Sequence, residues 1–180
     1  PFDAISHSFA TISIGGFSTH DASIGYFNST TINYITVFFL LISSCNFALH
    51  FTLFSQLKDP KEKRKSTVLQ RLYWRDYEFR SFMFIQIALF LICVIVLVFH
   101  QYFNTTGTTI DQVLFEAVSI STTAGFGVTD FSQWPSFLPT LLILASFVGG
   151  CAGSTGGGLK VIRVLLLYLQ MNREIHRFVH

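Results

Sequence analysis

The chain has 180 residues, 51% of them hydrophobic and only 12% charged, where soluble domains carry about 25% charged residues. Twenty-one residues are phenylalanine and the formal net charge is only +2. This composition excludes an ordinary soluble domain and points to an all-α integral membrane protein.

Residues 3–11 form a short amphipathic run that leads into Ser13-Ile14-Gly15-Gly16-Phe17-Ser18, with Asp21 beyond it. Residues 31–54 then form an apolar stretch long enough to cross about 30 Å of hydrocarbon. Within it Asn46 and His50 stand four apart, which on one helix puts both on one face. They could line a pore, and polar packing between helices is the favoured role. Residues 58–80 hold eight of the 12 Lys and Arg. Acidic Asp59, Glu62, Asp76 and Glu78 dilute this segment, and its place between two spans argues for a cytoplasmic linker and against a nucleic-acid patch. Residues 81–99 are a second uncharged span.

Thr109-x-x-Gln112 has the pattern of a capping box, so a helix is expected from Ile110 to about Ser121. Such a helix is about 18 Å long, too short to cross, so it must enter the membrane and stop. The following residues, Thr122-Thr123-Ala124-Gly125-Phe126-Gly127, are then non-helical backbone at membrane depth. That is tolerated only against protein or a water-filled cavity. Residues 137–148 are apolar, and after them come Gly149-Gly150-Cys151-Ala152-Gly153-Ser154-Thr155-Gly156-Gly157-Gly158. Six glycines in ten residues, at about 1 kcal/mol each, disfavour an unbroken helix. A break just inward of the loop is expected, with apolar helix resuming over residues 159–169. The competing reading is a tight packing face, because Gly153-x-x-x-Gly157 fits the small-xxx-small pattern. A nucleotide-binding P-loop is rejected, since Leu159 separates Gly158 from Lys160.

The two loops are copies. Gly16 aligns with Gly125, Phe17 with Phe126, Asp21 with Asp130 and Ser23 with Ser132, all 109 positions apart, and His7 falls opposite Glu116. Glycine at the loop centre permits positive φ, so successive carbonyls can face one side and replace an ion's water. The short helix before each loop aims its negative end at the same point. Phe17 and Phe126 are expected to pack behind the loops and support them. The organisation read from this repeat is a partial unit over 1–56, a basic cytoplasmic linker over 57–80, a complete unit over 81–172 and the start of a cytoplasmic segment over 173–180. The first unit has no span before its short helix, so a fragment of a longer protein is expected. Positive charge confined to the linker and the C-terminal end puts both inside, with the loops opening outward.

Cys45, Cys93 and Cys151 stand alone and form no metal or disulfide pattern. The sequons at Asn28 and Asn104 are weak matches. No nucleophile–base spacing is present, so no enzyme is expected.

On residues 13–21, 121–130 and 149–163 the chain resembles the Trk/Ktr/HKT superfamily of potassium uptake proteins. That superfamily sets four helix–pore loop–helix repeats around one pore. The resemblance implies that Gly16 and Gly125 are selectivity glycines and that carbonyls of Ser13, Ile14, Gly15, Thr122, Thr123 and Ala124 line potassium sites. It also implies that residues 149–158 are an intramembrane gate formed by Gly149, Gly150, Gly153, Ser154, Thr155, Gly156, Gly157 and Gly158. A homodimer in the bacterial cytoplasmic (inner) membrane is implied, controlled by a cytosolic nucleotide-binding regulatory ring resembling TrkA. Two alternatives stay open: an ion-coupled secondary transporter with a broken-helix site, and a relative permeable to both sodium and potassium.

Overall fold

The computed structural model describes residues 1–58, 72–103 and 108–179. Linker residues Lys61, Lys63, Arg64, Lys65 and Arg71 and the Asn104 sequon lie outside the described residues. Among those described there is no strand, and the chain is all-α. In order it forms α1 (Phe2–Ile12), α2 (Thr30–Ser43), α3 (Phe47–Lys58), α4 (Tyr77–Phe99), α5 (Ile110–Ser121), α6 (Phe137–Val148) and α7 (Val161–Val179). Single 3-10 turns at Ser23–Phe27 and Phe131–Gln133 follow the two loops.

α4 is the one helix among the described residues long and apolar enough to span a membrane by itself. Phe82, Gln86, Leu89, Cys93 and Leu97 form its buried stripe, while Phe84, Ile87, Leu91, Ile95 and Val98 stand exposed on other faces. A helix apolar all round, with only one stripe covered by protein, suits a lipid environment. Asp76 caps its start, its carboxylate accepting the N–H of Phe79 at 2.7 Å. α4 packs with α5 and α6 around Leu89, Cys93, Leu97, Val113, Ala117, Trp134, Leu138 and Leu142. Ser121 adds a polar tie, its hydroxyl donating to Gln86 Oε1 at 2.8 Å.

α5 keeps its expected bounds. Gln112 Oε1 accepts the Thr109 N–H at 3.0 Å, so the start is fixed by the box read from sequence. α1, α2 and α5 meet around Phe126 in a second cluster that includes Ala10, Ile14, Ile24, Val37, Leu40, Phe115 and Val118. Asn33 of α2 donates to Asp111 Oδ2 of α5 at 2.9 Å.

The expected single span over 31–54 is corrected. The helix stops at Ser43 and restarts at Phe47, with a bend of 90°. Asn46 is therefore an N-cap, its Oδ1 accepting the Ala48 N–H at 2.8 Å, and it does not share a helical face with His50. His50 bonds the Tyr73 hydroxyl at 2.5 Å and the Ile42 carbonyl at 3.0 Å. Two forces favour the break. Asn is a strong capping residue, and carbonyls released by the break gain new donors: Ser44 O accepts from Cys151 N at 2.8 Å and Ser43 O from Thr155 N at 3.4 Å. Replacing Asn46 with Ala should lower stability by about 1 kcal/mol, read as a lower melting temperature in detergent; an unchanged melt would contradict the cap.

Candidate functional site: two pore loops above a glycine-rich loop

The two loops have the same backbone. α1 ends at Ser13 with φ −77° and α5 at Thr122 with φ −79°. Next come Ile14 at φ +53° and Thr123 at +70°, then Gly16 at +67° and Gly125 at +80°. Three hydrogen bonds repeat position by position. Ser13 N to Phe9 O (3.0 Å) matches Thr122 N to Val118 O (3.0 Å), and Ile14 N to Thr11 O (3.2 Å) matches Thr123 N to Ile120 O (3.0 Å). Gly15 N to Ala10 O and Ala124 N to Ser119 O are both 2.8 Å. A β-branched residue at positive φ is an outlier in any fold, held only where its surroundings over-determine it. Here it occurs twice, at the same place in each copy.

The loops touch. A Cβ on Gly16 would lie 2.1 Å from the Ala124 carbonyl oxygen, so only glycine permits this approach. Beyond the loops, Gly25 N donates to Gly127 O at 3.1 Å and Gly127 N donates to Ser23 Oγ at 3.2 Å. The phenylalanines are not equivalent. Phe126 is 1% exposed in the core between the two copies, and Phe17 is 79% exposed among the described residues. Ser13 is likewise exposed, whereas its counterpart Thr122 is buried.

Residues 149–158 are irregular, as expected, and the helical packing face is not formed. α6 ends at Val148, and the chain returns to its own starting point: Leu159 N donates to Phe147 O at 2.8 Å and Lys160 N to Val148 O at 3.0 Å. A Cβ on Gly149 would lie 2.1 Å from Gly157 O, so glycines close the neck of this loop. Helix resumes at Val161, two residues later than expected, because Gly158 and Lys160 both have positive φ. It then runs through Val179, into the segment read as cytoplasmic.

Part of the loop reaches the end of α1 and the second pore loop. Thr155 Oγ1 donates to Ile12 O at 2.9 Å, Gly157 N donates to Thr123 Oγ1 at 2.7 Å, and Gly156 lies against the Thr122 carbonyl. The rest is tied elsewhere. Gly150 lies against Ser44 and Gly153 against Asn46, while Ser154 Oγ donates to the Cys151 carbonyl.

Sequence reasoning passed over three residues that fix these loops. Glu78, read as part of the linker, is 7% exposed and accepts the Ala152 N–H at 2.5 Å. Lys160 places its ammonium on the Gly156 carbonyl. Glu116, 1% exposed, accepts backbone N–H groups beyond the second loop. A charged residue inside an apolar helix was the available signal for Glu116. Among the described residues no group of His, Cys, Asp and Glu could hold a metal, and the three cysteines are buried and free.

Relatives fit this arrangement. The chain is 59% identical over 180 residues to the Trk system potassium uptake protein TrkH of Vibrio parahaemolyticus, covering all of this chain and 35% of that protein. It is 56% identical over 179 residues to TrkH of Escherichia coli K12, covering 99% of this chain and 35% of that protein. A crystal structure of the potassium transporter TrkH from Vibrio parahaemolyticus superposes with a TM-score of 0.90 over 100% of this chain and 36% of the other. The chain thus spans about a third of the length of these relatives. The profile of the TrkH family, described as cation transport proteins, matches residues 1–180, and the chain belongs to that family of membrane proteins.

Proposed function

We propose that this segment forms two of the pore loops of a potassium-permeating membrane protein. Ions would pass at the level of Gly16 and Gly125, beside carbonyls of Ser13, Ile14, Gly15, Thr122, Thr123 and Ala124. The observation that carries the reading is the pair of superposable loops, each with a strained β-branched residue, a positive-φ glycine and a short helix ending on it. The relatives named as potassium uptake proteins give the cation. Residues 149–158 would act as the gate, since they hydrogen-bond the end of α1 that leads into the first pore loop and Thr123 of the second.

The proposed setting is a homodimer in a bacterial inner membrane, with loops 13–18 and 122–127 outward. A cytosolic regulatory ring would meet the linker 57–80 and the end of α7 near Arg173 and Arg177. Glu78 and Lys160 then tie the gate to helices that begin or end on that inner side. Replacing Glu78 with Ala removes the acceptor for Ala152 N–H, a loss of about 1–3 kcal/mol. Basal leak should rise roughly tenfold, measured as potassium efflux from loaded vesicles; unchanged leak would contradict a holding role.

Rubidium uptake into vesicles carrying the full-length protein tests the function itself. Potassium should compete far better than sodium. Flux reversal at the potassium equilibrium potential, unmoved by an imposed proton gradient, favours a channel. A shift with the proton gradient would favour the coupled transporter.

A further inference from the structure

Glu116 lies within α5, and its Oε1 accepts the N–H groups of Val128 (2.7 Å) and Thr129 (2.9 Å), on the far side of Gly125 from the helix end. At the repeat spacing of 109, His7 stands in place of Glu116 and His20 in place of Thr129. His7 is also buried, at 8% exposed. Its Nδ1 faces the Asp3 carbonyl at 2.7 Å, which requires the proton on that nitrogen, so Nε2 accepts from the Ser18 hydroxyl at 2.9 Å. Ser18 Oγ in turn accepts the His20 N–H at 3.1 Å. The same peptide N–H is therefore held from the same helix position in both copies, directly by a carboxylate in one and through a hydroxyl relay in the other. Different chemistry converging on one contact marks the contact as what matters.

We propose that this helix position, Glu116 in one copy and His7 in the other, positions the outer arm of each pore loop and thereby sets ion selectivity. The inference rests on the potassium-pore reading above. Each loop is pinned on its inner side by three backbone hydrogen bonds, and this position pins the other side. Holding a carbonyl-built site to about 0.5 Å, the tolerance of preorganised binding sites, needs both ends of the loop fixed. Both groups are positioning residues; neither is among the carbonyl-bearing positions expected to line the ion sites.

The test uses the full-length protein in vesicles, with sodium and potassium competing against rubidium uptake, on Glu116→Ala, Glu116→Gln and His7→Ala. Glu116→Ala should reduce the preference for potassium over sodium about tenfold or more. Glu116→Gln, which keeps an acceptor oxygen, should retain most of it. His7→Ala should reduce it less, since the Ser18 hydroxyl remains. Folded Glu116→Ala and His7→Ala proteins that both discriminate as the parent does would overturn the proposal. If Glu116→Ala does not fold, an unchanged preference in His7→Ala together with unchanged hydrogen exchange at its His20 amide would do the same. If the parent protein itself shows no potassium preference, the pore reading fails. Hydrogen exchange then decides the clamp: faster exchange at Val128 and Thr129 in Glu116→Ala supports it, and unchanged exchange overturns it.

Discussion

Replacing Gly16 with Ala should nearly abolish potassium flux. A methyl group on Gly16 would sit 2.1 Å from the Ala124 carbonyl oxygen, a backbone atom that cannot rotate away. One loop must move against the other, and Gly16 at φ +67° adds about 1–2 kcal/mol of left-handed strain. Gly125 carries the same strain at φ +80°. Gly125→Ala should lower flux at least about tenfold, from that strain. Gly125→Val adds β-branching at positive φ and should lose selectivity as well. A mild effect of Gly16→Ala would show that the contact between the loops carries no function.

The second large effect is expected at the glycine-rich loop. Deleting Gly156 and Gly157 removes the Gly157 N–H that donates to Thr123 and pulls Thr155 away from the Ile12 carbonyl. Two hydrogen bonds at about 1 kcal/mol each hold the closed arrangement. Their loss should raise basal leak roughly thirtyfold in potassium-loaded vesicles. A deletion variant that folds and leaks no more than the parent would mean that residues 149–158 only pack helices.

The parts of this molecule legible in sequence were those dictated by short-range signals. The capping box at Thr109 and Gln112 fixed the start of α5, and the six glycines marked the break after Val148 to the residue. The repeat gave the alignment of Ile14–Gly16 with Thr123–Gly125, which share one sequence of backbone angles. The bend at Ser44 was not legible from hydrophobicity, since residues 31–54 carry no charged residue, glycine or proline. Asn46 was its one signal, and a capping residue inside an apolar run reads equally well as interhelical polar packing. What made the bend favourable lies over 100 residues away, where Cys151 and Thr155 supply donors to the freed carbonyls. Glu78 and Glu116 were passed over because their partners are backbone amides of distant loops, which no side-chain pattern reveals.

Whether a cation sits between the paired loops is decided most directly by density for rubidium or thallium in the full-length protein. Peaks between the carbonyls of Ser13 to Gly16 and those of Thr122 to Gly125, lost on exchange into sodium, are the predicted result. Loops that face lipid or close-packed side chains, with no cation density at that level, would contradict it.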